Sequence, residues 1–570
     1  IYLNESRNHN IDLNLHDATI TNEGWEFIEE KLPYLHAMIP SEVVRIGHIT
    51  AQGNLRSNST QGNITLDIDS DAGTIQARAN IDNKGYYTTH ITGKDINIAK
   101  AIPTSPLTRT DIILQAEGTI TDMQSLLSGK QGLTIPTGTF KGMATQTILM
   151  GYEYKNIQLN GAYSPHIYSG KIAIDDPNGQ LNLQARYDES QLQPQYTAQI
   201  VADSINLHAL NLIDIHEGRS FSARLNGNIK GKQFNHMTGS IKIDSLTMHR
   251  EGDDYSINSI ALYSFESETK TLSLNSDFMN AAVKGDFTYQ TIMRSLLAHL
   301  HDYLPSLCPS HNHRHITSSN QCLVDLQIKD TEPLKELLLI PISIDKTASI
   351  VAQFYDESRS VGLDIQIPQL TYNGNDLANV VLQCKTNGHK AEIQGQGSLY
   401  NDDTHIAATL QATAKEDKLS IGALWQSNPA DFFTGAFSTD VFFARNFIGN
   451  LETTIQSDSS HTTINKSLWE LHPFVAHIAP KHTTIKDFRF EHDATQYLNI
   501  CGTIADTHSD TLNIKLNDID LSYLLSLVKL QGISFGGNVS GDIKAADLYT
   551  QSPFIDANVK VHSFSFCEGP

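Results

Sequence analysis

The sequence predicts a mainly β protein, a long repetitive antiparallel sheet carrying a few short amphipathic helices. Apolar and polar residues alternate with period two along most of the chain, and short turns rich in Gly, Pro, Asn and Asp punctuate the alternation. A third observation is internal: residues 205–230 recur as residues 519–544 without a gap. Ile205, Leu207, Leu210, Ser220, Phe221, Gly227, Ile229 and Lys230 are echoed by Ile519, Leu521, Leu524, Ser534, Phe535, Gly541, Ile543 and Lys544. Such a repeat indicates an architecture that grows by adding units.

The strands follow in order. Ile64, Leu66 and Ile68 alternate with Thr65, Asp67 and Asp69; a turn over Ser70 to Gly73 leads into Ile75, Ala77, Ala79 and Ile81. Ile172 and Ile174, an Asp176-Pro177-Asn178-Gly179 turn, then Leu181, Leu183 and Ala185 repeat that grammar. It returns at Leu363, Ile365 and Ile367, at Leu512, Ile514 and Leu516, and at Ile555, Ala557, Val559 and Val561. Each segment has one apolar and one wet face, the pattern of antiparallel hairpins. Helical period is confined to short pieces. Trp25, Ile28 and Leu32 mark one near residues 24–39, and Ile292, Leu296, Leu300 and Tyr303 mark another near 290–304. Leu334, Leu337 and Leu338 follow Pro333, and Leu521, Leu524 and Leu525 follow Asp520. The expected organisation is a β segment over residues 1–306, an exposed His- and Ser-rich loop over 307–322, and a continuation over 323–570.

Composition narrows the function. With 41 Lys and Arg against 63 Asp and Glu the net charge is −22, and no basic stripe of the kind that tracks nucleic acid is visible. The acidic balance opposes docking on anionic headgroups but leaves contact with lipid tails open. No apolar run is long enough for a membrane-spanning helix. The chain opens mid-pattern at Ile1 and closes just after strand-like residues 559–566, so it reads as a fragment of a larger protein, with any membrane anchor outside it.

Candidate chemistry is sparse. Gly532-Ile533-Ser534-Phe535-Gly536 matches a nucleophile elbow, but a helical pattern precedes it and a strand follows, the reverse of the required order. Its repeat counterpart, Gly218-Arg219-Ser220-Phe221-Ser222, lacks the second glycine. Asp67, Asp69, Asp71 and Gly73 resemble a calcium loop whose glycine falls one place late and whose twelfth position is Arg78. Cys308, His311, His313, His315 and Cys322 are competent metal ligands without zinc spacing, and Cys308 with Cys322 could instead form a disulfide or lie in an ordinary loop. Gly395-Gln396-Gly397 is only half of a dinucleotide fingerprint. The expectation is a protein without enzymatic activity, resident metal or cofactor.

The stretch from Asn465 to Phe566 carries a more specific pattern. Ser467-Leu468-Trp469-Glu470-Leu471, residues 485–492 (IKDFRFEH), Leu498-Asn499-Ile500-Cys501-Gly502 and Leu512 to Tyr523 resemble the TamB/AsmA-like family of bacterial envelope proteins in its Bacteroidetes form. Residues 32–55 and 204–230 resemble it too. The resemblance implies a sheet curled lengthwise into an open, taco-like groove with a hydrophobic lumen. It further implies an N-terminal inner-membrane anchor, absent here, and a periplasmic location in the cell envelope. Phospholipid conduction toward the outer membrane, with an outer-membrane β-barrel assembly protein as partner, is implied as well. On this reading the inward, lipid-contacting candidates are Ile64, Leu66, Ile68, Ile75, Ala77, Ile172, Ile174, Leu181, Leu183, Leu363, Ile365, Leu512, Ile514, Leu516, Val559 and Val561. A structural or adhesive β-repeat with a closed core, and a scaffold for outer-membrane protein assembly, are the alternatives.

Overall fold

The computed structural model describes residues 11–32, 39, 41–58, 60–120, 136–308, 319–372, 375–401, 404–429, 432–505, 510–520, 533–549 and 553–568. Among them the fold is mainly β, with 36 strands in one long antiparallel sheet. The chain divides into two compact units, residues 1–266 with 275–277, and residues 267–274 with 278–570.

The hairpins form where period and turn residues place them. Strands Gln61–Ser70 and Gly73–Asp82 pair with Leu66 opposite Ala77 and Ile68 opposite Ile75. Strands Ile167–Asp176 and Gly179–Asp188 close over Pro177 and Asn178. At that turn Asp176 is buried, and its Oδ1 accepts from the Tyr152 hydroxyl at 2.6 Å and from the Asn178 amide at 2.9 Å. Its Oδ2 accepts from the Lys155 amide at 3.1 Å, so one carboxylate ties two neighbouring turns together. Gly179 has φ +139°, and a Cβ there would come within 2.6 Å of the Ile205 Cα, so no other residue fits without strain.

A recurrent bulge interrupts the strict alternation. The pairing register shifts between Leu15 and Ala18, Gly93 and Ile96, Ala202 and Ile205, Ile485 and Phe488, and Leu516 and Ile519. In each, the residue before the second apolar one adopts a left-handed backbone: Asp17, Asp95, Ser204, Asp487 and Asp518, with φ between 48° and 60°. Asp and Ser serve here because a short polar side chain tolerates that region and bonds locally. The inserted residue returns the next apolar side chain to the apolar face, which a period of two would have turned outward.

The sequence repeat is visible at this device. Ser204 and Asp518 are equivalent positions, and their amides donate to Ser222 Oγ at 3.0 Å and Ser540 Oγ at 2.8 Å. The pairing itself is not repeated: Ala202 faces Ala223, whereas its counterpart Leu516 faces Gly541 in place of Gly537. Leu521, Leu524, Leu525 and Gly532 lie outside the described residues.

Helices occupy the connections. Asn22–Lys31 starts at Thr21, whose side chain accepts from the Gly24 amide at 3.2 Å. Trp25 is buried there and donates its indole N–H to the Gly47 carbonyl at 2.6 Å. Helix Ile292–Tyr303 forms at the expected place with an unexpected orientation. Ser295, His299 and Tyr303 face inward, while Met293, Leu296, Leu297 and Leu300 are exposed. The polar side is drawn down by Asp356. That carboxylate accepts from Ser295 Oγ at 2.7 Å, the Asn320 amide at 2.8 Å and Asn320 Nδ2 at 2.9 Å, and its other oxygen lies 3.0 Å from His299 Nε2. Four bonds to a largely shielded charge, 12% exposed, outweigh burial of the leucine stripe.

Candidate functional site

Residues directly opposite each other in antiparallel strands share a face, so the register can be followed across the sheet. In the first unit one row runs Leu15, Gly53, Leu66, Ala77, Ile91, Leu114 and Gly142. It continues through Leu159, Ile172, Leu183, Ile200, Leu225, Ile243 and Ile260 without a polar side chain. Two residues along the strands, a second row carries Ile68, Ile75, Gly93, Ile112, Ala144, Ile157, Ile174 and Leu181. On the other side a third row carries Leu55, Ile64, Ala79, Ala116, Phe140, Ala185 and Ile241, with Thr89 between Ala79 and Ala116.

Beyond the third row comes a tyrosine ladder: Tyr163 opposite Tyr168, Tyr168 opposite Tyr187, and Tyr187 opposite Tyr196. Ring centroids of the last two pairs lie 6.0 and 4.8 Å apart. Tyr87 joins the row across two glycines, Gly118 and Gly138. A Cβ on Gly138 would stand 2.6 Å from the Tyr87 hydroxyl and 2.9 Å from that of Tyr163, so the absent side chains let the two phenols meet and hydrogen-bond. Burial, then that bond, holds the Tyr87 phenol above its ordinary range. The Glu189 carboxylate, accepting from the Tyr187 hydroxyl at 2.9 Å, pushes Tyr187 up to about 12. The face therefore grades from aliphatic to phenolic.

Of the inward candidates, Leu66, Ile68, Ile75, Ala77, Ile172, Ile174, Leu181 and Leu183 are half-buried and fall into these adjacent rows, as does Ile64 at 44% exposure. Leu363 and Ile365 lie on one face of their strand in the second unit, opposite Cys384 and Leu382. Ile514, Leu516, Val559 and Val561 also follow apolar rows there. Packing differs in that unit. Leu516, 5% exposed, is buried with Trp469, Ile519 and Val539, and Ile514 packs against that cluster. Leu512 is buried, while Val559 and Val561 are exposed. Elsewhere in the second unit Tyr303 and Leu304, at the end of helix Ile292–Tyr303, cover Ala391 and Ala414.

The remaining candidates separate. Cys308 and Cys322 are both free thiols, so the disulfide considered from sequence is not formed. Cys322 points into a cluster with Phe287 and Phe354, and the Cys308 carbonyl lies 2.6 Å from His301 Nδ1. His311, His313 and His315 lie outside the described residues. Asp67 and Asp69 are exposed on the polar face of strand Gln61–Ser70, and Gly395-Gln396-Gly397 is strand interior. The Ser534 side chain is outside the described residues, although its backbone begins strand Ile533–Ala546.

One constellation that sequence reading missed, Ser295, His299 and Asp356, has the residue types of a catalytic triad. Its bonds are wrong for one: both Ser295 and His299 bond to Asp356, and Ser295 is 2% exposed. Ordering of a helix is what this hub does. Neither family models nor curated protein sequences give a match to the chain.

Proposed function

We propose that the chain is a non-enzymatic lipid-conducting scaffold of the bacterial envelope, holding phospholipid acyl chains against its apolar sheet face between inner and outer membrane. The observation that carries this reading is the unbroken apolar row from Leu15 to Ile260, flanked by two more and left half-exposed. Dimensions agree. Six residues separate the outermost aliphatic row from the tyrosine ladder, about 20 Å at about 3.4 Å per residue, close to the roughly 15 Å of one bilayer leaflet. An acyl chain lying along the strands then meets aliphatic side chains, each buried CH₂ contributing about 0.8 kcal/mol. The tyrosine hydroxyls meet the polar end, as at membrane interfaces.

Repetition supplies many similar weak positions, which conduction requires. On this reading the sheet curls into an open groove, the protein resembles TamB/AsmA-like proteins in periplasmic placement and inner-membrane anchoring, and an outer-membrane β-barrel assembly protein is its partner. No helix among the described residues is long and apolar enough to cross a membrane. The packed cluster around Trp469 and Leu516 favours the second reading, a closed β-repeat, for that part of the second unit alone.

A photo-crosslinking amino acid at Leu183, which lies in the apolar row, and at its neighbour Gln184, on the opposite face, tests the proposal in cells. Phospholipid adducts at 183 and none at 184 are expected. Equal labelling at both positions, or none at 183, overturns it.

A further inference from the structure

The opposite face of the first unit carries a second continuous row. From Thr65 it passes through Arg78, His90, Lys141, Lys171 and Lys242, each exposed and none separated from the next by an acidic side chain. The positions between the cations are amides: Gln115, Asn160, Gln184, Gln199 and Asn226. In a chain of net charge −22 a row with five basic residues and no acid stands apart, and it is invisible in sequence order because its members come from successive strands. Asp67 and Glu117 occupy the two flanking rows, and Glu117 already accepts from the Tyr86 hydroxyl at 2.8 Å; beside Lys242, Asp244 accepts from Asn226 Nδ2 at 2.6 Å. Among the described residues Arg78, Lys141 and Lys171 have no ion-pair or hydrogen-bond partner.

The row is also shaped. A hollow of about 500 Å³ is lined by Arg78, His90, Lys141, Gln115 and Phe140, with Glu117 as its one acidic wall. A second, of about 460 Å³, is lined by Arg186, Lys242, Gln199 and Asn226. Nine strand intervals separate Arg78 from Lys242, about 43 Å at about 4.8 Å each. That is a track for an extended ligand with spaced negative charges.

We infer that this face binds a linear acidic polysaccharide laid across the strands. Its carboxylates or sulfates pair with Arg78, Lys141, Lys171 and Lys242, and its hydroxyls bond to the intervening amides. Interleaved Gln and Asn suit sugar hydroxyls, each offering both a donor and an acceptor. Within the row His90 alone carries an aromatic ring, and Phe140 lines the hollow beside it; successive bases would find no continuous stacking platform, which disfavours single-stranded nucleic acid. The site is independent of the lipid face, since it uses the other side of the same strands.

The test is fluorescence anisotropy with the full chain and labelled polygalacturonate at low ionic strength, with neutral dextran and single-stranded poly(dT) in parallel. Polygalacturonate should bind, weaken steeply with added salt and outcompete both others. The triple variant Arg78→Gln, Lys141→Gln, Lys171→Gln should lose about tenfold in affinity, three exposed charge contacts each contributing a few-fold. Because all three side chains are exposed, its melting temperature should match the parent's. Lys329→Gln with Lys346→Gln, outside the row, should leave binding unchanged. No binding at low salt, equal loss in the control variant, or tighter binding of poly(dT) overturns the inference.

Discussion

Leu183→Glu separates an open apolar face from a closed core. Leu183 lies between Ile172 and Ile200 in the central row and is half-buried. Losing half the burial of a leucine removes about 1 kcal/mol, and a glutamate on an uncovered face keeps its carboxylate in water. For a unit of this size that lowers Tm by about 2–4 °C. The effect on a lipid is larger. Three or four methylenes lose an apolar floor, about 3 kcal/mol, or about a hundredfold in local occupancy. The assay pairs a thermal melt with lipid crosslinking from a photoreactive residue at position 172, directly opposite. The comparison is Leu516→Glu, which forces a carboxylate into the cluster around Trp469 and should cost several kcal/mol. The reasoning is refuted if Leu183→Glu destabilises as much as Leu516→Glu, or if crosslinking at 172 is undiminished.

Other consequences are local. Asp356→Ala strips the acceptor from Ser295, His299 and Asn320 and should destabilise the second unit by about 3–5 kcal/mol in denaturant titration. Burial pushes the Asp356 carboxyl up, but hydrogen bonds from Ser295, Asn320 and His299 more than offset it and leave it lowered. Its contribution is therefore complete above the ordinary carboxylate range near pH 4 and lost as pH falls through the lower folded value; the variant should show a flatter acid limb. Asp176→Ala orphans the Tyr152 hydroxyl and the Lys155 and Asn178 amides, with an expected loss of about 3 kcal/mol in the first unit. Among Cys308, Cys322, Cys384 and Cys501, maleimide labelling should modify exposed Cys501 first and Cys322 last, because burial pushes the Cys322 thiol up and blocks access.

The hairpins were legible because Leu66 with Ala77 and Ile174 with Leu181 obey a period of two around turns whose residues allow only tight reversals. The bulges were not, since alternation counts residues and a bulge adds one. Their signal is nonetheless in the chain: an apolar residue, one spacer, then Asp or Ser, then an apolar residue, as in Leu516-Asn517-Asp518-Ile519. Helix Ile292–Tyr303 was legible in place and not in orientation, because Asp356 lies on a distant turn and outbids the leucines only once the strands are paired. The cationic row is of the same kind. Arg78, Lys141 and Lys171 become neighbours through register, a property of several strands together.

The central claim is that the apolar rows contact lipid. Gentle purification from a bacterial host, extraction and mass spectrometry of the co-purifying material test it most directly. The account predicts phospholipid in amounts of several molecules per chain, falling sharply in a variant carrying Leu66→Glu, Leu183→Glu and Ile243→Glu while the fold is retained. A parent protein free of phospholipid, or one whose phospholipid is unchanged by those three charges, contradicts it.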